Sequence, residues 1–485
     1  MVIKKKTSVP VTLKKTLTGI KGFDEITFGG VPKGRSTLIV GGPGSGKTVF
    51  SMEFLVQGIR HWNEPGLFIS FEETFVDLVE NFGSMGYDLN KLSKEGKLII
   101  DQIVIKSGDV RESGEYNLDG LFSRMEHYIV TNNVKRVVID TIEALFSKIP
   151  SEVILRSELR RLFLWLKSKG VTALITAEPG QYMMTRHGIE EYVADCLIIL
   201  DLRIFEQLMT RRLRIMKYRG SAHGTNEYPF IIDNTGFSVL PITSIGLEHK
   251  ISSDFLSSGI QGMDELLGGK GFYRGSSIVI SGMAGSGKSI FAASVCNTAC
   301  EQGLKCLYLS SEESHDQVIR NMKSVGLDLE PWVKKDLLKF SASRPNSNGL
   351  ESHLLTIYDL TESFKPDVVV FDPVTNLTTV GSINEVKSML TRMMDYLKKN
   401  LITTVLTDLT SGGAVPEHTN VKISSLIDSW VVLAVAREKS KRKRELFIMK
   451  TRGIASSPNV YDFAITYRGI EIFKNDQMQE EKLVA

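Results

Sequence analysis

The sequence predicts an α/β protein of two tandem lobes, each a mostly parallel sheet flanked by helices. Two observations carry the prediction. One long pattern occurs twice along the chain, and within each copy short apolar runs alternate with amphipathic stretches. Runs that are apolar almost throughout belong to a parallel sheet covered on both faces. A repeat of this length is a duplicated domain, not a solenoid unit. The predicted organisation is a flexible start over 1–16, a first lobe over 17–242, a linker over 243–254, a second lobe over 255–472 and a short tail over 473–485. The linker is read from the polar, interrupted run between Thr243 and Asp254.

The copies match element by element. Leu17-Thr-Gly-Ile-Lys-Gly-Phe-Asp24-Glu25 answers Ser257-Ser-Gly-Ile-Gln-Gly-Met-Asp264-Glu265. The strand-like runs Ser36 to Val40 and Ser277 to Ser281 follow. They lead into Gly41-Gly-Pro-Gly-Ser-Gly46-Lys47-Thr48 and Gly282-Met-Ala-Gly-Ser-Gly287-Lys288-Ser289, each opening a helix-like stretch. Both satisfy Gly-x4-Gly-Lys-Ser/Thr between a strand and a helix, the context that supports a phosphate-binding loop. The second strands, Leu67 to Phe71 and Cys306 to Ser310, bring Glu72-Glu73 and Glu312-Glu313. Val137-Val-Ile-Asp140 and Val368-Val-Val-Phe-Asp372 are apolar runs that end in an acid, and Lys217-Tyr-Arg219-Gly220 and Lys450-Thr-Arg452-Gly453 close the pattern.

Charge explains why these residue types recur. Glycine lets a loop turn its N–H groups inward around phosphate oxygens at a helix N-terminus. The first phosphate site is therefore assigned to Gly44, Ser45, Gly46, Lys47, Thr48 and Val49, the second to Gly285, Ser286, Gly287, Lys288, Ser289 and Ile290. Lys47 and Lys288 would reach the β- and γ-phosphates, and Thr48 and Ser289 would offer a hydroxyl to Mg²⁺. Asp140 and Asp372 end strands at the edge where open α/β sheets collect ligands, the place of an acid that holds Mg²⁺. Two nucleoside-triphosphate sites follow.

Other features admit two readings each. A carboxylate beside the γ-phosphate can take the proton of an attacking water or hydroxyl, and Glu72 and Glu312 are the candidates for that base. The same Glu-Glu pairs could instead cap the next helix. Lys217, Arg219, Lys450 and Arg452 could neutralise charge on a phosphoryl group from a neighbouring subunit, or lie in solvated turns. The run Arg437 to Arg444 is basic but free of aromatics; it reads as a hairpin tip rather than a single-strand nucleic-acid patch. Aligning Asp195 with Asp428 sets Ser424 opposite Glu191 and Ser425 opposite Tyr192. Those two hydroxyls either accept a phosphoryl group or simply begin a strand.

Composition narrows the function classes. The chain has 485 residues, 42% hydrophobic and 24% charged, with a formal charge of +3. That thin balance argues against a broad nucleic-acid-binding face. The first 16 residues are basic but lack the apolar centre of a secretory signal, and no stretch is apolar enough to cross a membrane. Cys196, Cys296, Cys300 and Cys306 show no zinc spacing and read as reduced, buried thiols of a cytoplasmic protein.

Taken together, the tandem RecA-like lobes, twin phosphate loops, Glu-Glu pairs and late Lys-x-Arg-Gly motifs resemble the KaiC family across essentially the whole chain. The resemblance implies a two-tiered homohexamer with ATP and Mg²⁺ between neighbouring subunits. It implies Glu72 as the base for hydrolysis in the first lobe and Glu312, near Mg²⁺, as the base for autophosphorylation in the second. The family's adjacent phosphoacceptors fall on Ser424 and Ser425, with Thr419 matching a third hydroxyl position. Further nucleotide contacts would be Ser84, Lys217, Tyr218, Arg219, Ser221, His223, Asp233 and Asn234 in the first lobe, and Arg444, Lys450, Thr451 and Arg452 in the second. Three departures stand out: Ser425 replaces threonine, Pro373 follows the acid where serine is usual, and Val325 replaces an aromatic near the nucleotide. The short tail makes KaiA dependence unexpected, while a KaiB-like partner on the first lobe stays open. Two other classes share the motifs: a nucleic-acid-stimulated motor, and an ATP-switched scaffold with no kinase activity.

Overall fold

The apolar runs become strands because their branched and aromatic side chains fill both faces of a sheet. The structure, a computed structural model, describes residues 13–103, 118–146, 152–180, 185, 193–205, 208–241, 251–345, 349–410, 423–438 and 441–473. Thr419, Glu191, Tyr192, residues 1–12 of the start, 243–250 of the linker and 474–485 of the tail lie outside them. The chain divides into two units, Met1–Ser244 and Ile245–Ala485.

In the first unit, Ser36–Gly41 is the central strand, parallel to Thr172–Ala177 on one side and Cys196–Phe205 on the other. Outward from Thr172–Ala177 follow Arg136–Asp140, Gly66–Ser70 and Leu98–Gln102, all parallel. Outward from Cys196–Phe205 come Leu208–Tyr218, Glu227–Asp233 and Gly236–Val239, each antiparallel to its neighbour. The result is a nine-stranded, mostly parallel sheet. All six residues of Ser36–Gly41 are buried.

The helix Lys47–Trp62 packs on this sheet with Phe50, Phe54, Leu55 and Val56 fully buried. Phe50 sits edge-on between Phe23 and Phe237, with ring centroids 5.0 and 5.1 Å away. Burying a phenylalanine contributes about 2–3 kcal/mol, so truncating Phe50 to alanine would cost about 3–5 kcal/mol. Its packing fixes the helix that begins at the phosphate loop.

The second unit repeats the topology strand for strand. Its sheet runs Leu338–Ala342, Cys306–Ser310, Val368–Asp372, Thr403–Leu409, Ser277–Gly282, Ser429–Glu438, Lys441–Thr451, Tyr461–Thr466 and Gly469–Phe473. The helix Lys288–Glu301 takes the place of Lys47–Trp62. The basic run lies at the end of an antiparallel hairpin, as expected. Arg437 pairs with Arg442 and Glu438 with Lys441, so the ladder continues almost through it. All four cysteines are free and buried, as expected, and three of them, Cys296, Cys300 and Cys306, bring their sulfurs within 4.8 Å of one another.

Candidate nucleotide sites

Each phosphate loop leaves the end of the central strand and enters a helix through a glycine in the left-handed region. Gly46 has φ +95° and Gly287 φ +106°. That φ favours glycine, and a Cβ on Gly46 would also press on Ile232 Cδ1 at 2.5 Å. Lys47 Nζ donates to the carbonyls of Gly41 and Gly42, and Lys288 Nζ to those of Gly282 and Met283 at 3.0 and 2.8 Å. Burial pulls both ammoniums below their ordinary pKa, against the opposing pull of Asp140 in one lobe and Asp372 in the other. The hydroxyls of Ser45 and Ser286 are buried inside the loops with no hydrogen-bond partner. Unsatisfied buried donors at a glycine-rich turn suit an anion. Val49 and Ile290 follow in the first helical turns.

The two strand-end acids are held differently. Asp140 accepts Thr176 Oγ1 on one oxygen and Thr48 Oγ1, at 2.8 Å, on the other. Burial pushes the Asp140 carboxyl up, and the two hydroxyls and Lys47 oppose that shift. Asp372 accepts Thr407 Oγ1 and, at 2.7 Å, the Tyr308 phenol. The first lobe therefore brings its loop hydroxyl and its acid together as a metal site requires. In the second lobe, the strand beneath the acid occupies the oxygen that Thr48 takes in the first.

The glutamate pairs are not helix caps. Thr74 and Ser314 cap the following helices, each in a reciprocal box with Asp77 or Gln317. Glu72 and Glu312 are exposed beyond the strand ends, and Asn376 Nδ2 donates to Glu312 Oε1 at 3.0 Å. Glu73 is half-buried, and burial, then Asp140, raises its pKa.

Strand direction sorts the other predicted residues onto two edges of each sheet. Asp233 ends a strand running the same way as Ser36–Gly41, and Ile232 packs against Gly46. Asp233 and Asn234 thus share the loop edge. Ser84 lies in the nearby turn, where the Tyr87 phenol contacts the Thr235 carbonyl. Arg444 is also on the loop edge: it pairs with Val435, two residues past the partner of Gly282. Its Nε is buried without a partner.

The late cations go to the opposite edge. Tyr218 pairs with Cys196, which pairs with Thr37, near the beginning of the central strand. Lys217, Arg219, Ser221 and His223 surround that end, as do Lys450, Thr451 and Arg452 in the second lobe, where Thr451 pairs with Ser429. The five steps of Ser36–Gly41 separate the two edges by about 17 Å at 3.3 Å per residue. No lysine or arginine side chain spans that length within one chain.

Ser424 and Ser425 stand beside these cations. They form a turn ahead of Ser429–Glu438, with Ser425 exposed. Lys450 Nζ donates to the Ser424 carbonyl at 2.9 Å and Arg452 Nη2 to the Ser425 carbonyl at 2.7 Å. Asp428 anchors the turn through Lys398 Nζ at 2.6 Å and the Ser277 N–H at 2.9 Å. Burial works to raise the Asp428 pKa, but these donors outweigh it and hold the carboxyl below the usual range.

Several contributors escaped the motif reading. Arg211 occupies in the first lobe the place of Arg444, pairing with Leu202, and its Nε is likewise buried and unpartnered. Its distance to Lys217 equals that of Arg444 to Lys450, so the repeat itself held the signal. Thr176 and Thr407 also match across the copies. Glu143 accepts the Glu178 N–H at 2.6 Å, and both carboxylates act on Lys47 electrostatically. Neither belongs to a recognisable spacing.

Among the described residues no helix is long and apolar enough to cross a membrane. Residues 16–244 and 256–477 each match the family described as the KaiC ATPase. The chain is 47% identical to circadian clock protein KaiC2 of Synechocystis sp., over 96% of this chain and 83% of that protein. It is 33% identical to KaiC3 of the same organism, over 95% and 92%. It is 34% identical to circadian clock oscillator protein KaiC of Acaryochloris marina, over 97% and 90%. With two matching repeats, a phosphate loop in each and relatives along nearly its full length, the chain belongs to the KaiC family of ATPases.

Proposed function

We propose that this ATPase hydrolyses ATP in its first lobe and phosphorylates its own serines in its second, as a two-tiered homohexameric ring that acts as a clock-like or signalling switch. One observation carries the reading. In both lobes the phosphate loop and the Lys-x-Arg-Gly cations lie on opposite sheet edges, so a complete site needs the loop of one chain and the cations of the next. A head-to-tail interface of that kind closes into a ring.

In the first lobe Lys47 and the loop N–H groups bind the phosphates, Glu72 takes a proton from water, and Lys217 and Arg219 of a neighbour meet charge developing on the γ-phosphoryl group. In the second, Ser424 or Ser425 Oγ attacks the γ-phosphorus of a neighbour's ATP. The bond to the β–γ bridging oxygen breaks, ADP leaves, and the hydroxyl proton passes to Glu312. Mg²⁺ would be held by Thr48 and Asp140, and by Ser289, Glu312 and Asp372, and would neutralise phosphate charge. A phosphoserine adds nearly two negative charges beside Lys450 and Arg452, enough to reset the turn they hold. A KaiB-like protein is a candidate partner for the first lobe. The basic ribbon is paired into the sheet, which does not favour a nucleic-acid motor.

Site-resolved phosphopeptide mass spectrometry after incubation with Mg²⁺ and ATP tests the kinase. Phosphate on Ser424 or Ser425 that Glu312→Gln abolishes is the expected result. Bare serines alongside intact hydrolysis would refute the kinase and leave an ATP-switched scaffold.

A further inference from the structure

We propose that Cys296, Cys300 and Cys306 form a metal site in the core of the second lobe, selective for a soft monovalent ion of the Cu(I) class. Cys296 and Cys300 lie one turn apart on the helix Lys288–Glu301, facing the strand Cys306–Ser310 that carries the third. All three are at most 1% exposed, and their sulfurs lie within 4.8 Å of one another. A trigonal ion with metal–sulfur bonds of about 2.3 Å requires sulfurs about 4 Å apart, so each pair closes by less than an ångström.

The donor set chooses the ion. Thiolates are soft ligands that select Cu(I), zinc and iron–sulfur clusters. Zinc and iron in such sites take four ligands. Among the described residues no fourth His, Cys, Asp or Glu joins the three sulfurs, and burial excludes solvent as a substitute. A monovalent d¹⁰ ion is satisfied by two or three sulfurs. Each thiol that binds as a thiolate releases its proton to solvent. With two of the three sulfurs bound as thiolates and the third as a neutral thiol, a Cu(I) site carries a net charge of −1. Two of the thiols are directed at carbonyls, Cys306 Sγ toward Cys296 at 3.5 Å and Cys300 Sγ toward Leu337 at 3.6 Å. These weak bonds are cheaply given up.

The position ties the sulfurs to the nucleotide machinery. Cys296 and Cys300 share a helix with Lys288, and Cys306 shares a strand face with Tyr308, whose phenol holds Asp372 at 2.7 Å. An ion here would clamp the helix and the strand that carry both halves of the second site.

The test uses the reduced, full-length chain, titrated anaerobically with Cu(I) against bicinchoninate as the competing chelator. About one copper per chain should be retained, with a sulfur-only shell in X-ray absorption. Cys300→Ser and Cys306→Ala should each lower retention at least tenfold, with folding checked by circular dichroism. Cys196→Ser, which alters the cysteine of the other lobe, should leave retention unchanged. Absence of retained copper, nitrogen or oxygen in the shell, zinc held in preference to copper, or equal loss in Cys196→Ser would each overturn the proposal. Should one variant fail to fold, the other and the absorption spectrum of the unaltered protein still decide it.

Discussion

If the serines are phosphorylated from a neighbouring chain, two inactive variants must rescue one another. Lys288→Ala keeps Ser424 and Ser425 but removes the lysine that reaches the phosphates. A double Ser424→Ala, Ser425→Ala variant keeps the loop but offers no acceptor. The structure sets the scale of the separation. The central strand of the second lobe runs from Ser277 to Gly282, and Ser429, at the start of the acceptor's strand, pairs with Ile278. The acceptor turn precedes Ser429, so it stands about 17 Å or more from its own loop. In-line transfer requires reacting atoms about 3–3.5 Å apart, which excludes transfer within one lobe. In rings assembled from an equal mixture, half of the chains carry serines and half of those face a competent loop. Phosphorylation should therefore reach about one quarter of the unmutated level, and neither variant alone should show any. Phosphopeptide quantification after assembly with ATP reads this directly. A mixture that forms rings with bare serines would refute the trans geometry, and phosphate on Lys288→Ala alone would refute the role assigned to Lys288.

Four further outcomes follow from individual contacts. Thr176→Val removes the hydroxyl that Asp140 accepts in a fully buried place; it should cost about 1–3 kcal/mol in denaturant unfolding and slow hydrolysis. Arg211→Met and Arg444→Met should weaken nucleotide binding about tenfold or more, read by calorimetry, while unfolding of the nucleotide-free protein changes little. Burial raises the Glu53 carboxyl from the usual 4.5 to about 7, against the Phe237 N–H and neighbouring side chains. Its protonated form therefore favours the folded state, giving stability that is complete below pH 4.5 and lost as pH rises through 7, roughly 3 kcal/mol at most; Glu53→Gln should flatten that slope in urea titrations between pH 5 and 8. Tyr308→Phe should free one Asp372 oxygen, cost about 1–3 kcal/mol, and shift the Mg²⁺ dependence of second-lobe activity toward that of the first.

Much of this was legible because a duplication shows its constraints twice. A lone Asp at the end of an apolar run carries little information, but Asp140 and Asp372 stand in matched places after matched loops. The strands were readable from Ser36–Gly41 and its counterpart because a strand buried on both faces needs apolar residues at nearly every position. Arg211 was less visible. Its neighbour Arg212 and nearby Arg214 blur it into a charged strand, and only register shows which arginine lies in the place of Arg444. The opposite-edge placement of Lys217 and Lys450 depends on antiparallel pairing, which no local spacing encodes. The three cysteines escaped for a similar reason: Cys306 reaches the other two across a helix-to-strand contact, where sequence spacing has no meaning.

The contrast between the two acids locates where equal motifs part company. Phe68 stands in the first lobe where Tyr308 stands in the second, one oxygen atom apart in composition. Without that phenol, the second oxygen of Asp140 turns to Thr48, and the acid is tied to the phosphate loop itself. With it, Asp372 is tied to the neighbouring strand. A nucleotide entering the first lobe must therefore exchange a loop-to-acid hydrogen bond for its own contacts, so binding and loop position are coupled there. In the second lobe the acid is already fixed, and the loop can take up phosphate without moving it. A site that rearranges on each turnover suits repeated hydrolysis. On the proposed function, a rigid acid beside an acceptor brought by a neighbour would suit transfer, where water must be kept from competing for the same phosphorus.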